Sequence, residues 1–355
     1  MQENILSEGE NYMTYYPILK ISNAEMGALE HLKEETIDWI TPILESKIIA
    51  KDKIEQWWTT FRTLGKYLRG KIGEMTFIYD FSSAFEKIGE IRQLKDQNGF
   101  DLVQHCIMAM EEAQLNFIPC VHFDSPEWFI NSVLTSNSEV IAVRIRCHAF
   151  NSPMEEIVQK RILEEIIGLN NEKKYILILD FYNSPISLTR METSIKVFSS
   201  LPFQRIVFAL TSCPEDANKA APNSFTLICQ REDLKTFRKL QEGYPYIEYG
   251  DYTVRLKPEF EGNDINYYNT YLKLFYTTED DYYIAKSSIL EKNGVESFIA
   301  ICQEIIESDV YSGADFSYGD WAIKECAEKK LIISNHPKPI EFGINHHIEL
   351  TARLL

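Results

Sequence analysis

Residues 140–180 decide the fold. Val140 to Arg146 reads VIAVRIR, an apolar run rich in β-branched residues. Ser152-Pro153-Met154-Glu155 follows. It is a capping box with proline in the first helical position, and it opens a helix expected over Pro153 to Ile167. Tyr175 to Asp180 (YILILD) is a second apolar run, closed by an acid. Runs this dense in apolar side chains fit parallel strands covered by helices, not half-wet antiparallel ones.

The same unit recurs in both directions. Upstream are Tyr16 to Ile21 (YPILKI), Trp39 to Leu44 (WITPIL), Met75 to Phe81 (MTFIYDF) and Phe117 to His122 (FIPCVH). Downstream are Arg205 to Thr211 (RIVFALT) and Thr226 to Arg231 (TLICQR). Between them, helical periods run over Ala24 to Glu35, Lys51 to Leu68, Phe100 to Ala113, Pro126 to Leu134, Pro185 to Ser199 after a capping Ser184, and Asp233 to Gln241. Eight such units predict an α/β fold, a (β/α)8 TIM-like barrel over residues 15–243. An open doubly wound sheet is the competing reading, although YPILKISNAE carries no glycine-rich phosphate turn. Residues 1–14 read as a tail. Past Gly243 the texture changes to a tyrosine-rich stretch, Tyr244 to Tyr283, with turn signals at Gly250-Asp251 and Gly262-Asn263-Asp264. Residues 244–355 therefore read as a C-terminal α+β extension, β-rich at first, with helices over Val295 to Ser308 and Trp321 to Lys329.

Composition narrows the classes. At 355 residues, 45% of them hydrophobic and 25% charged, the chain can bury a core without disulfides. Its 36 basic and 53 acidic residues leave a net charge of −17. That charge repels a phosphate backbone and disfavours nucleic acid, while a locally basic pocket for a small anion stays open. The seven cysteines are odd in number and form no CxxC, which predicts reduced thiols. There is no apolar run long enough to span a membrane, and the acidic N-terminus lacks a secretory pattern, so a cytoplasmic protein is expected. The pair Trp57-Trp58 fits a core position or a homo-oligomer contact.

In a barrel of this type, chemistry gathers at the carboxyl ends of the strands. Those ends are Lys20, Glu45, Asp80, His122, Arg144 with Arg146, Asp180, Ser212, and Arg231 with Glu232. Lys20, Arg144 and Arg231 suit a phosphate or carboxylate ligand. Asp80, Asp180, Glu45 and His122 suit acid–base or metal chemistry, and Asp80 with Asp180 would suit Mg²⁺. Ion pairs that merely cap a filled barrel explain the same pattern. His346-His347, read on a strand, would face opposite ways, with one ring reaching the mouth. P-loop, zincin, nucleophile-elbow and EF-hand patterns are absent.

Several stretches resemble the "beta protein" family of bacteriophages and bacteria. They are YYPILKISNAEMGAL, the strand-plus-acid at Asp80 and at Asp180, Val143-Arg144, Thr211-Ser212-Cys213-Pro214, Gln230-Arg231-Glu232, Tyr249-Gly250-Asp251-Tyr252, and Tyr311 to Asp320. The resemblance runs from about Tyr15 to His347. It implies association with phages, mobile elements and defence loci. It also marks Lys20, Asp80, Arg144, Asp180, Arg231, Glu232, Asp251, Tyr252, Asp320 and His347 as recurring polar positions. Two steps depart from the family pattern: Asn266-Tyr267-Tyr268-Asn269 stands where an Arg-Tyr step is usual, and Ser334-Asn335-His336 where a Trp-Arg step is usual. The expectation is a charged pocket at the barrel mouth, with the extension packed over it. Asp80, Asp180, Glu232 and His122 would do chemistry on a small anionic ligand such as a nucleotide or phosphate ester. The alternative is a non-catalytic scaffold whose partner is another protein.

Overall fold

A computed structural model describes residues 13–46, 54–81, 95–149, 153–170, 172–183, 187–254, 256 and 270–355. The expected turn at 262–264, the capping Ser152 and Ser184, and residues 266–269 lie outside the described residues.

The barrel is closed and all-parallel. Its strands are β1 (Tyr15–Lys20), β2 (Ile43–Glu45), β3 (Phe77–Asp80), β4 (Phe117–His122), β5 (Val140–Arg146), β6 (Lys174–Tyr182) and β7 (Arg205–Leu210), and a later strand closes it. Nearly every residue of β3 and β6 is buried, as strands covered on both faces must be. Helices Ile54–Ile72, Leu102–Glu112, Glu127–Leu134, Pro153–Leu169 and Leu188–Phe198 stand between strands. Leu102–Glu112 starts at a full capping box of Asp101 with Gln104. Trp57 is fully buried in the core, and Trp58 packs edge-on against His105.

The eighth barrel strand is a correction. The run at Thr226 to Arg231 lies in β8 (Ser224–Gln230), which belongs to a separate three-stranded antiparallel sheet with β10 (Tyr271–Thr277) and β11 (Asp281–Ile289). Its side chains are half-exposed, Leu227 to 50%, which no covered barrel strand tolerates. Closure falls instead to β9 (Ile247–Asp251), which pairs with β7 on one side and β1 on the other. Gly250 explains why. A Cβ there would stand 2.9 Å from the Tyr16 carbonyl oxygen and 3.2 Å from Val207, so the closing strand requires a glycine where the barrel is tightest. Barrel and second sheet therefore interleave in sequence: β8 precedes residue 243, and β9 follows it.

The C-terminal helix, Pro337–Leu354, is nearly buried throughout. It packs on helix Asn23–Glu30 and β1 of the barrel, and on β10 of the second sheet. It thus fills the place beside the barrel wall where the helix after an eighth strand would lie. Gly343 lets it approach: a Cβ there would be 2.4 Å from the Phe275 carbonyl oxygen. A second core forms between the small sheet and helices Gly294–Glu307 and Tyr318–Ala327.

Candidate functional site

Register delivers a ring of ionisable side chains to one end of the barrel. Lys20 pairs with Glu45, Glu45 with Asp80, and Asp80 with Cys120. His122 pairs with Arg144, and Arg146 with Asp180. Cross-strand partners share a face, and faces alternate along each strand. The inward set is therefore Lys20, Glu45, Asp80, Cys120, His122, Arg144, Arg146 and Asp180, joined by Tyr252 just after β9.

Arg144 is the hub. Its Nε donates to Asp180 Oδ2 at 3.1 Å. Nη1 donates to Asp80 Oδ2 at 2.6 Å and to Glu45 Oε1 at 3.0 Å. Nη2 donates to Asp180 Oδ2 at 2.8 Å and to the Tyr252 hydroxyl at 2.7 Å, and that hydroxyl donates onward to Asp180 at 2.6 Å. All five guanidinium N–H groups have acceptors. Burial by itself would discharge the guanidinium, but Tyr252, Asp180, Asp80 and Glu45 outweigh it and raise Arg144 well above the ordinary arginine value. Burial likewise pushes up the Tyr252 phenol and the Cys120 thiol, the latter helped by Asp80.

Three further contacts define the mouth. His122 Nε2 lies 3.1 Å from both Asp80 oxygens, and its backbone N–H is held by Ser125 Oγ. Lys20 Nζ donates to the Leu256 carbonyl at 3.1 Å. Asp80, His122, Arg144 and Asp180 are buried, whereas the Glu45 side chain is 17% exposed. Asp80, Cys120 and His122 offer an oxygen, a sulfur and a nitrogen within 4.8 Å of one another, a grouping that could hold a metal ion.

Other expected site residues lie elsewhere. Asp251 sits on the outward face of β9 and meets the Tyr15 hydroxyl at 2.5 Å and His347 Nε2 at 2.9 Å. Arg231 joins that group: its Nη2 is 3.5 Å from Asp251 Oδ2 and donates to Thr351 Oγ1 at 2.7 Å, while its Nε is 3.6 Å from Asp233. Arg231 and His347 are fully buried behind the barrel wall, so neither faces the mouth. Asp320 sits in the second lobe against His346 Nδ1 at 2.7 Å and the Tyr276 hydroxyl at 2.8 Å. Glu232 is 61% exposed beside Lys235 on the surface. His346 and His347 lie on a helix, not a strand, so their rings diverge by about 100° and serve two different networks.

The expectations for anion and magnesium chemistry shift accordingly. Arg144 is committed to protein carboxylates and Arg231 is walled off, which leaves Lys20 as the expected anion anchor at the mouth. The Arg144 guanidinium lies between Asp80 and Asp180 and donates to both. Cys120 was not among the expected site residues. It lay inside an apolar run, and only the alternation from His122, two positions on, would have marked it as inward-facing.

The Beta_protein family, described as "Beta protein", matches residues 15–353. The chain belongs to the beta protein family. No curated protein matches this beta protein. Among solved structures it is similar to "PhdJ bound to substrate intermediate", at 10% identity and a TM-score of 0.30, over 62% of this chain and 69% of that one. No helix among the described residues is long and apolar enough to cross a membrane.

Proposed function

We propose that this beta protein binds a small polar molecule at the carboxyl end of its barrel and hydrolyses it there, with Glu45 handling the proton. One observation carries the reading. Among the carboxylates that Arg144 holds, Glu45 is the one that also reaches solvent. A carboxylate fixed at one oxygen and open at its edge is placed to exchange a proton with a bound ligand. Asp80 and His122 pair beside it, and Lys20 supplies positive charge at the rim. A phosphate ester or nucleotide is the first ligand class to try, given the positive charge of Lys20 at the rim, and a glycoside the second.

The second reading is a non-catalytic scaffold in a defence or counter-defence assembly. It is favoured by the saturation of Arg144, because a guanidinium with every donor spent inside the protein is what a purely structural cap would show.

Glu45→Gln separates the two. Glutamine keeps an oxygen for Arg144 but cannot accept the proton. With chromogenic phosphomonoesters, phosphodiesters and glycosides as probes, turnover by the natural chain should fall by about 10²–10⁴ in the variant, with melting unchanged. Equal turnover in both proteins rules out Glu45. Turnover in neither, with melting lowered in the variant, favours the scaffold.

A further inference from the structure

We infer that Asp80, Cys120 and His122 form a site for a zinc-class divalent ion. This inference rests on the barrel mouth being the reactive site, and it assigns the cofactor that the site would use.

The three side chains come from neighbouring strands and are brought together by register. Asp80 and Cys120 are direct cross-strand partners, and His122 follows Cys120 by the two residues that return a side chain to the same face. Their donor atoms lie within 4.8 Å of one another, and His122 Nε2 is already 3.1 Å from either Asp80 oxygen. Ligands on a tetrahedral zinc stand roughly 3.3–3.8 Å apart, given bond lengths of about 2.0–2.3 Å. Small rotamer adjustments therefore complete the set.

The donor types choose the metal. Mg²⁺ and Ca²⁺ take oxygen ligands, whereas thiolate and imidazole with one carboxylate suit zinc and its spectroscopic substitute cobalt. Two neighbouring contacts help to place these ligands. Arg144 Nη1 holds Asp80 Oδ2, and Ser125 Oγ fixes the backbone of His122. Three protein ligands leave a fourth position for water, the pattern of a catalytic zinc. A zinc ion held there would supply Lewis-acid activation of a water, and Glu45 would be the carboxylate placed to take up its proton and return it to a leaving group.

The test uses Co²⁺ and Zn²⁺ on the full chain stripped with chelator. The natural protein should take up one equivalent of Co²⁺ at this site, with a thiolate-to-cobalt charge-transfer band. Cys120→Ser should abolish the band and weaken uptake by more than the roughly 100-fold seen for outer-shell losses. His122→Gln should weaken uptake while keeping Cys120, a check should the serine variant fold poorly. An unchanged band in Cys120→Ser, or no uptake from micromolar Zn²⁺ or Co²⁺, overturns the inference. Turnover that persists in chelator sinks the metal but spares the hydrolytic reading. Metal bound without turnover does the reverse.

Discussion

Asp251 and Tyr252 are consecutive in the chain and serve opposite sides of the barrel wall. The Asp251 carboxylate points outward to His347 on the C-terminal helix, and the Tyr252 hydroxyl points inward to Arg144 and Asp180. The end of β9 is thus shared by two polar networks. One fastens the second lobe to the barrel, and the other organises the mouth.

Removing the Tyr252 hydroxyl tests the inner network. Tyr252→Phe deprives an Arg144 N–H of its acceptor and Asp180 of a donor. The expected loss is about 1–3 kcal/mol, the cost of leaving a buried polar group without a partner. Urea unfolding should show a lower midpoint at an unchanged slope. An unmoved midpoint would mean the hydroxyl is not paired.

Arg144→Met goes further, because it leaves Asp80 and Asp180 buried without their shared cation. A loss of roughly 3–5 kcal/mol is expected, the usual cost of orphaning a buried charge. A loss under about 1 kcal/mol, read from the same unfolding curves, would show that the carboxylates have another source of compensation.

The outer network predicts the pH dependence of stability. Burial holds His347 below the ordinary histidine value, so the unfolded chain takes up that proton first. Stability should therefore fall as pH drops through about 6.5. Burial alone would raise Asp251, but His347, Arg231 and the Tyr15 hydroxyl outweigh it and hold its pKa at about 2. The stability Asp251 contributes is full above about 3.9 and is lost as pH falls through that lower value. His347→Gln should flatten the first limb and also shrink the acid limb, because His347 is the chief group that lowers Asp251. A variant whose profile keeps both limbs contradicts the assignment to His347.

Gly343→Ala tests how the helix is seated. The new methyl would lie 2.4 Å from the Phe275 carbonyl oxygen, a backbone atom that moves only with β10. A cost of about 1–3 kcal/mol or more is expected from overpacking. Thermal melting at unchanged stability would show that the second sheet yields freely.

Seven of the barrel strands were legible because each is an apolar run buried on both faces, and burial of that kind leaves its mark in composition. The inward acids and bases at their ends were legible for the same reason, since each closes its run. The eighth strand was not. IEYGD carries a glycine and an acid that read as a turn, yet Gly250 is there because closure leaves no room for a side chain. TLICQR read as a covered strand from its apolar content alone. The C-terminal helix was missed because Glu341, Asn345, His346, His347, Glu349 and Thr351 interrupt any apolar stripe, although all six are buried.

The sequence by itself determined the parallel barrel and the ring of charge at its mouth, because strand burial and alternation are local properties of each run. Only the tertiary structure decided which charges meet. Arg231, Asp251 and His347 look like mouth residues in one dimension, but the outward face of β9 and the docked helix draw them into a separate network. Pairing of that kind depends on which distant segment closes the barrel, and no local pattern encodes it.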